Sequence, residues 1–186
     1  MDNETKNDST FLHPEQVLKQ AGLVSGKKVA DLGCGGGYFL LAAARLVGDK
    51  GEAYGVDVLK TALSSIASKA RLFNLQNIHL VWSDVEIYGG AKAIHNNSLD
   101  MVLLVQLLSQ VQKKSEVFRE VDRIMKKDGT LVVVDWNNNN LSFGPDAKKH
   151  IPEAEVKELA GQSGFRFNRA IQASPYHYGL IFNKAK

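Results

Sequence analysis

The sequence holds a single cysteine, Cys34, among its 186 residues. That excludes an internal disulfide and suits a reducing compartment. It has no long apolar run: the longest, around Met101 to Val105, is strand-sized, against the roughly 20 residues that cross a bilayer. The polar stretch Met1 to Thr10 lacks the apolar core of a signal peptide. These absences predict a cytoplasmic protein with no membrane partner. Charge of one sign is also missing. Lys and Arg number 23 against 20 Asp and Glu, a net charge of +3, which neither demands nor excludes a nucleic-acid partner. The histidines at 13, 79, 95, 150 and 177 show no ligand spacing, so no metal is expected.

What is present is the composition of a globular protein, 44% hydrophobic and 23% charged. The length fits one domain, expected over residues 11–186 behind a disordered, polar tail at 1–10. Pro14 opens a helix running to Ala21, and Gly22 stops it. Strands and helices then alternate. Lys28–Leu32 reads as a strand, Tyr38–Val47 as a helix capped by Gly48, Glu52–Asp57 as a strand and Leu59–Phe73 as a helix. Ile78–Trp82 and the near-continuously apolar Leu99–Val105 follow as strands. Val117, Val121 and Ile124 stripe the next helix, which Asp128-Gly129 turns into a strand at Thr130–Trp136. A helix with Pro152 at its first position ends at Gly164. Two last strands, Phe165–Ala173 and His177–Asn183, lie too close for a crossover and form an antiparallel hairpin. The pattern predicts an α/β fold: a doubly wound, mostly parallel seven-stranded sheet with helices on both faces.

The chemistry-bearing segment is Val29-Ala30-Asp31-Leu32-Gly33-Cys34-Gly35-Gly36-Gly37. A strand ends in a carboxylate, and a glycine turn leads into a helix. Glycine permits the tight turn and close approach of a ligand to the backbone. The dinucleotide fingerprint would put its third glycine where this chain has Tyr38, and the spacing is instead D-x-G-x-G-x-G. Asp57 ends the second strand, where a carboxylate can accept hydrogen bonds from ribose hydroxyls. It could equally cap the following helix. Asp84, just past the third strand, can accept a hydrogen bond from the exocyclic amine of adenine or be an ordinary turn aspartate. Cys34 reads as a small side chain beside the loop.

These three features together resemble the class I S-adenosyl-L-methionine-dependent methyltransferases. Within them the chain is similar to the small methyltransferase-domain group that includes the ubiquinone/menaquinone-biosynthesis and arsenite methyltransferases. The resemblance covers about residues 11–186, including the terminal hairpin that separates this Rossmann-like fold from dehydrogenases. It implies that Gly33, Gly35 and Gly37 line the methionine part of S-adenosyl-L-methionine, while Asp31 organises the loop. It further implies that Asp57 holds the ribose and that Asp84 with the Val85 amide reads the adenine. No cysteine cluster of the kind used in arsenite methylation is present. A non-catalytic binding protein for the same cofactor and a nicotinamide-dependent oxidoreductase are the alternatives.

Methyl transfer needs an in-line nucleophile in a water-poor site, and a catalytic base is optional. The fourth strand leads into Gln106-Leu107-Leu108 rather than the Asn/Asp-Pro-Pro-aromatic motif of base-amino methyltransferases. That departure argues against adenine-N6 or cytosine-N4 methylation and leaves other RNA methylations open. No long insertion offers a nucleic-acid-binding module, and the expected acceptor is a small molecule. Topology places Gln106, Asp135, Trp136, Tyr176 and His177 on the cofactor rim, with His13 just before the first helix. Tyr176, His177, Gln106 and Trp136 are candidates for the acceptor pocket, and each could instead serve packing or the hairpin. His177 could take up the acceptor proton near neutral pH.

Overall fold

The computed structural model describes residues 12–137, 146 and 149–185. The proposed tail at 1–10 lies outside them, as does most of the polar run that begins at Asn137. Among the described residues, five helices and seven strands follow the expected alternation. The strands are β1 (Lys28–Leu32), β2 (Glu52–Asp57), β3 (Ile78–Trp82), β4 (Leu99–Val105), β5 (Met125–Trp136), β6 (Phe165–Ser174) and β7 (His177–Lys184). The helices are α1 (Pro14–Gln20), α2 (Tyr38–Val47), α3 (Lys60–Leu72), α4 (Lys114–Ile124) and α5 (Glu153–Gln162).

The sheet order is β3-β2-β1-β4-β5-β7-β6. Strands β1 to β5 pair in parallel, and β7 runs antiparallel to both β5 and β6. The chain steps outward from β1 to β3, then returns to place β4 on the other side of β1. The order therefore reverses between β1 and β4, and a crevice opens beyond their carboxyl ends.

Alternation along each strand divides the core in two. Leu99, Val102 and Leu104 of β4 join Val117, Phe118, Val121 and Ile124 of α4 on one face. Met101 and Leu103 join α1, α2 and α3 on the other through Leu18, Leu40 and Ile66. Each such fully buried side chain contributes roughly 1.5–3 kcal/mol by leaving water.

Two element boundaries differ from expectation. Strand β5 begins at Met125, directly after α4, rather than at Thr130. Leu99 pairs with Met125 while Met101 pairs with Thr130, so residues 126–129 bulge opposite Asp100 alone. Met125 is fully buried, which commits the chain to extend at once. Asp100 accepts from the Lys28 amide at 2.9 Å and the Lys126 ammonium at 2.9 Å, tying the bulge down. Pro152 stands at the N-cap of α5 in extended conformation, φ −66° and ψ 146°, one position before the expected one. The other element ends agree to within a residue or so.

Candidate functional site

A cavity of about 450 Å³ opens at the switch between β1 and β4, within the range that takes a cofactor-sized ligand. One side is the glycine turn: Asp31, Gly33, Cys34, Gly35 and Gly36, continuing into Tyr38 and Phe39 of α2. The other side is Val105, Gln106, Gln110, Trp136, Tyr176 and His177, with Leu12 and Pro14 covering it. Asp31, Gly33 and Gly35 therefore meet Gln106, Trp136, Tyr176 and His177 in one space. Gly37, Asp57, Asp84 and Val85 are not on its lining, and exposed His13 is bracketed by two residues that are.

The glycines have distinct reasons. Gly35, at φ 46°, has no atom closer than 4.0 Å to where a side chain would begin, so its backbone faces open space. Gly33, at φ 70°, is different: a Cβ there would stand 2.6 Å from Leu107. At Gly37, φ 80°, it would stand 2.7 Å from Ile66. Gly33 thus combines close packing with a place on the cavity wall, whereas Gly37 serves packing and a left-handed turn. Lys69, which sequence reasoning missed, donates to the Gly36 carbonyl at 2.9 Å and sits over the Tyr38 ring.

The two carboxylates are deployed differently. Asp57 accepts from the Gly35 amide at 2.8 Å and from the Leu59 amide at 2.8 Å. It thus holds the turn in place and caps the approach to α3. A carboxylate has further lone pairs, so it keeps capacity for ribose hydroxyls. Asp31 is 3% exposed and lines the cavity, and its Oδ1 is buried with no hydrogen-bond partner. Burial raises its pKa, the Asp57 charge adds to that against the Leu40 amide, and it reaches about 7. An orphaned buried carboxylate oxygen calls for a cationic or proton-donating ligand. The ammonium and sulfonium of S-adenosyl-L-methionine fit that demand. Cys34 is buried, and desolvation with the two aspartates holds its thiol far above the ordinary range, which makes it unreactive.

On the acceptor side the polar groups are neutral and mutually engaged. The Gln106 carboxamide nitrogen lies 2.7 Å from His177 Nε2, and His177 Nδ1 lies 2.8 Å from Ser174 Oγ. Ser174 Oγ also accepts from the Tyr176 amide at 3.1 Å. Burial lowers the His177 pKa to about 4. With both ring nitrogens engaged, the imidazole forms wall rather than taking up a proton near neutral pH. The Trp136 ring packs against His177 with centroids 4.2 Å apart. Asp135 does not reach the cavity wall. It is buried, accepts from the Trp136 amide at 2.9 Å, and has its carboxyl pKa raised by burial. Among the described residues no group of His, Cys, Asp and Glu could hold a metal ion.

Asp84 and Val85 sit beyond β3, outside the main cavity but on the same rim. Asp84 Oδ1 accepts from the Glu86 amide at 2.8 Å, and the Val85 side chain is buried in the core.

The residues on this rim fit a methyltransferase cofactor, and sequence comparison shows the family. Residues 23–173 match the methyltransferase domain family, and the chain belongs to it. A demethylmenaquinone methyltransferase of Geobacillus sp. (strain WCH70) is 30% identical over 129 residues, 68% of this chain and 53% of that protein. The chain spans about half the length of the curated relatives it matches. A SAM-dependent methyltransferase structure from Aquifex aeolicus superposes with a TM-score of 0.85 at 25% identity, covering 92% of this chain and 89% of that one. An arsenic(III) S-adenosylmethionine methyltransferase from Chlamydomonas reinhardtii shares the fold at a TM-score of 0.67 and 21% identity, covering 88% of this chain and 65% of that one. The fold is that of the class I methyltransferases, and S-adenosyl-L-methionine is the cofactor they indicate.

Proposed function

We propose that the chain transfers the methyl group of S-adenosyl-L-methionine to a small, uncharged, partly apolar acceptor. One observation carries this reading: the cavity joins a buried carboxylate with one unpartnered oxygen and a glycine turn to a neutral aromatic wall. On the cofactor side, Asp31 and the Gly33–Gly36 backbone take the methionine part and Asp57 takes the ribose. Asp84 and the Val85 amide take the adenine. When bound, the cofactor supplies a methyl carbon whose bond to sulfur breaks as the acceptor's nucleophile bonds to it. Gln106, Trp136, Tyr176 and His177 orient that nucleophile and exclude water, and proximity supplies much of the rate. Leu12 and Pro14 complete the lining.

The Geobacillus relative is named for demethylmenaquinone, a metabolite rather than a macromolecule, which supports a non-macromolecular acceptor. No helix among the described residues is long and apolar enough to cross a membrane. We place the protein in the cytoplasm, with residues 11–186 acting as one domain and no nucleic-acid partner. The test is a screen of a metabolite extract with isotopically labelled methyl donor and mass identification of labelled products. Labelled small molecules are expected. Binding of S-adenosylhomocysteine without any labelled product would leave a non-catalytic binding protein, and binding of NADH in its place would overturn the assignment.

A further inference from the structure

The segment between β3 and β4, residues 83–98, contains neither helix nor strand, yet its backbone is tied at both flanks to α4. Glu120 of α4 is fully buried. Its carboxylate accepts from the Gly89 amide at 2.6 Å and the Ala91 amide at 3.2 Å. One turn along, Arg123 donates to the same carboxylate through Nε at 2.9 Å and Nη2 at 2.6 Å. Arg123 then reaches the Ala91 carbonyl at 3.1 Å, the Ile94 carbonyl at 3.0 Å and Asn96 Oδ1 at 2.7 Å. At the near flank, Glu86 accepts from the Gln112 amide at 2.7 Å and from the Lys113 amide, where α4 begins.

Between these anchors the segment folds tightly on itself. The Gly90 amide donates to the Ile87 carbonyl at 2.8 Å, and a Cβ on Gly90 would lie 2.7 Å from the Asp84 carbonyl oxygen. Docking of α4 does not require this network, since Val117, Phe118, Val121 and Ile124 already bury its apolar face. A buried ion pair is a weak source of stability compared with apolar residues of the same volume. What it supplies here is one fixed backbone path. Burial alone would raise the Glu120 carboxyl, but Arg123 and the Gly89 and Ala91 amides outweigh that and hold it below the usual glutamate range.

We propose that Glu86 and Glu120 are positioning residues for the cofactor, fixing the loop against α4 so that Asp84 and the Val85 amide meet the adenine edge. This rests on the reading that Asp84 and Val85 receive the adenine. Neither glutamate touches the ligand, and each acts through the backbone between residues 84 and 91. Loosening either anchor lets that backbone drift, and recognition of the adenine edge weakens before anything else does.

The test uses the full chain with two probes, S-adenosylhomocysteine and S-inosylhomocysteine, which carries a carbonyl in place of the exocyclic amine. Isothermal titration of the unaltered protein is expected to favour the adenosine compound by at least about tenfold, as a site built around a donor rejects its absence. Glu120→Gln and Glu86→Ala should each shrink that preference by about tenfold, since a charge-assisted anchor is lost. Their far-UV circular dichroism should stay that of the folded chain. An equal loss of affinity for both probes, or an undiminished preference, overturns the positioning role. If Glu120→Gln does not fold, Glu86→Ala, on the half-buried near flank, decides the matter alone. No preference in the unaltered protein overturns the adenine reading itself, a result distinct from failure of the two substitutions.

Discussion

The two halves of the cavity are built by opposite means. The cofactor half comes from consecutive residues, Asp31 to Phe39, and presents mainly backbone and one buried carboxylate. The acceptor half is assembled from side chains far apart in sequence, with Gln106 and His177 separated by 71 positions. One half is charged and incompletely bonded. The other is neutral and bonded to itself. A fixed ligand can be met by a fixed backbone, whereas an acceptor wall made of side chains can change by substitution without disturbing the sheet. The contrast makes four predictions, from the largest effect to the smallest.

Gly35→Val should abolish cofactor binding. A β-branched residue at φ 46° is strained, and its side chain would enter the space where the backbone meets the ligand. Titration with S-adenosylhomocysteine should show at least about 100-fold loss while far-UV circular dichroism stays folded. Normal binding would mean that the turn does not contact the cofactor. Asp57→Ala comes next, with a loss of about 1.5–3 kcal/mol, or about 10- to 150-fold. It removes the acceptor for the Gly35 amide as well as the contact proposed for ribose. A loss restricted to ligands that carry ribose hydroxyls would separate those two contributions.

The third prediction concerns pH. Asp31 ionises near 3.8 when free and near about 7 in the fold. Its contribution to stability is therefore intact below 3.8 and is lost as pH rises through 7. His177 has the opposite sign. Its ordinary value of 6.5 falls to about 4, so its contribution is present above 6.5 and is lost as pH falls through 4. Between those limits the two slopes oppose each other. Asp31→Asn should raise Tm at pH 8 by on the order of 5 °C and expose a Tm that declines as pH drops below 6.5. In the unaltered protein, affinity for the cationic cofactor should fall by up to about tenfold per pH unit below 7, and Asp31→Asn should flatten that dependence. Calorimetric scans and titrations from pH 4 to 8 measure both, and an unchanged slope in the variant would remove Asp31 from the site.

The smallest effect on the cofactor belongs to the acceptor wall. His177→Ala and Trp136→Ala should leave S-adenosylhomocysteine affinity within about twofold and reduce turnover of the acceptor found by the labelling screen. No acid-side loss of turnover between about pH 8 and 5.5 should trace to His177, because its pKa lies near 4. Wild-type turnover in both variants would place the acceptor elsewhere.

The same contrast explains what the sequence made legible. The turn from Asp31 to Gly37, the seven strands and the terminal hairpin are local patterns, and the structure bears out that fold. The separate duties of the glycines were hidden, because Gly33 answers to Leu107 and Gly37 to Ile66, contacts that exist only after packing. Asp128-Gly129 is a turn signal that points to a start of β5 at Thr130. Burial of Met125 and the Asp100–Lys126 pair override it as a bulge. Glu120 did leave a trace. It lies on the same face as Val117, Val121 and Ile124, so a charged residue interrupts an apolar stripe, and such an interruption marks a buried polar network. The hydrogen bond that joins Gln106 to His177 left none, since no spacing encodes a contact between residues 71 positions apart.

Gln106 shows how tightly site and scaffold are joined. It leaves β4 in the left-handed conformation, φ 51°, with its carbonyl accepting from the Gln110 side chain at 2.5 Å. A residue with a side chain held there carries on the order of 1 kcal/mol of strain. Glycine would relieve it, and the relief would erase the carboxamide that braces His177. Any search for hardier variants of this chain should therefore be drawn to position 106, and a gain in heat resistance there would be bought with selectivity.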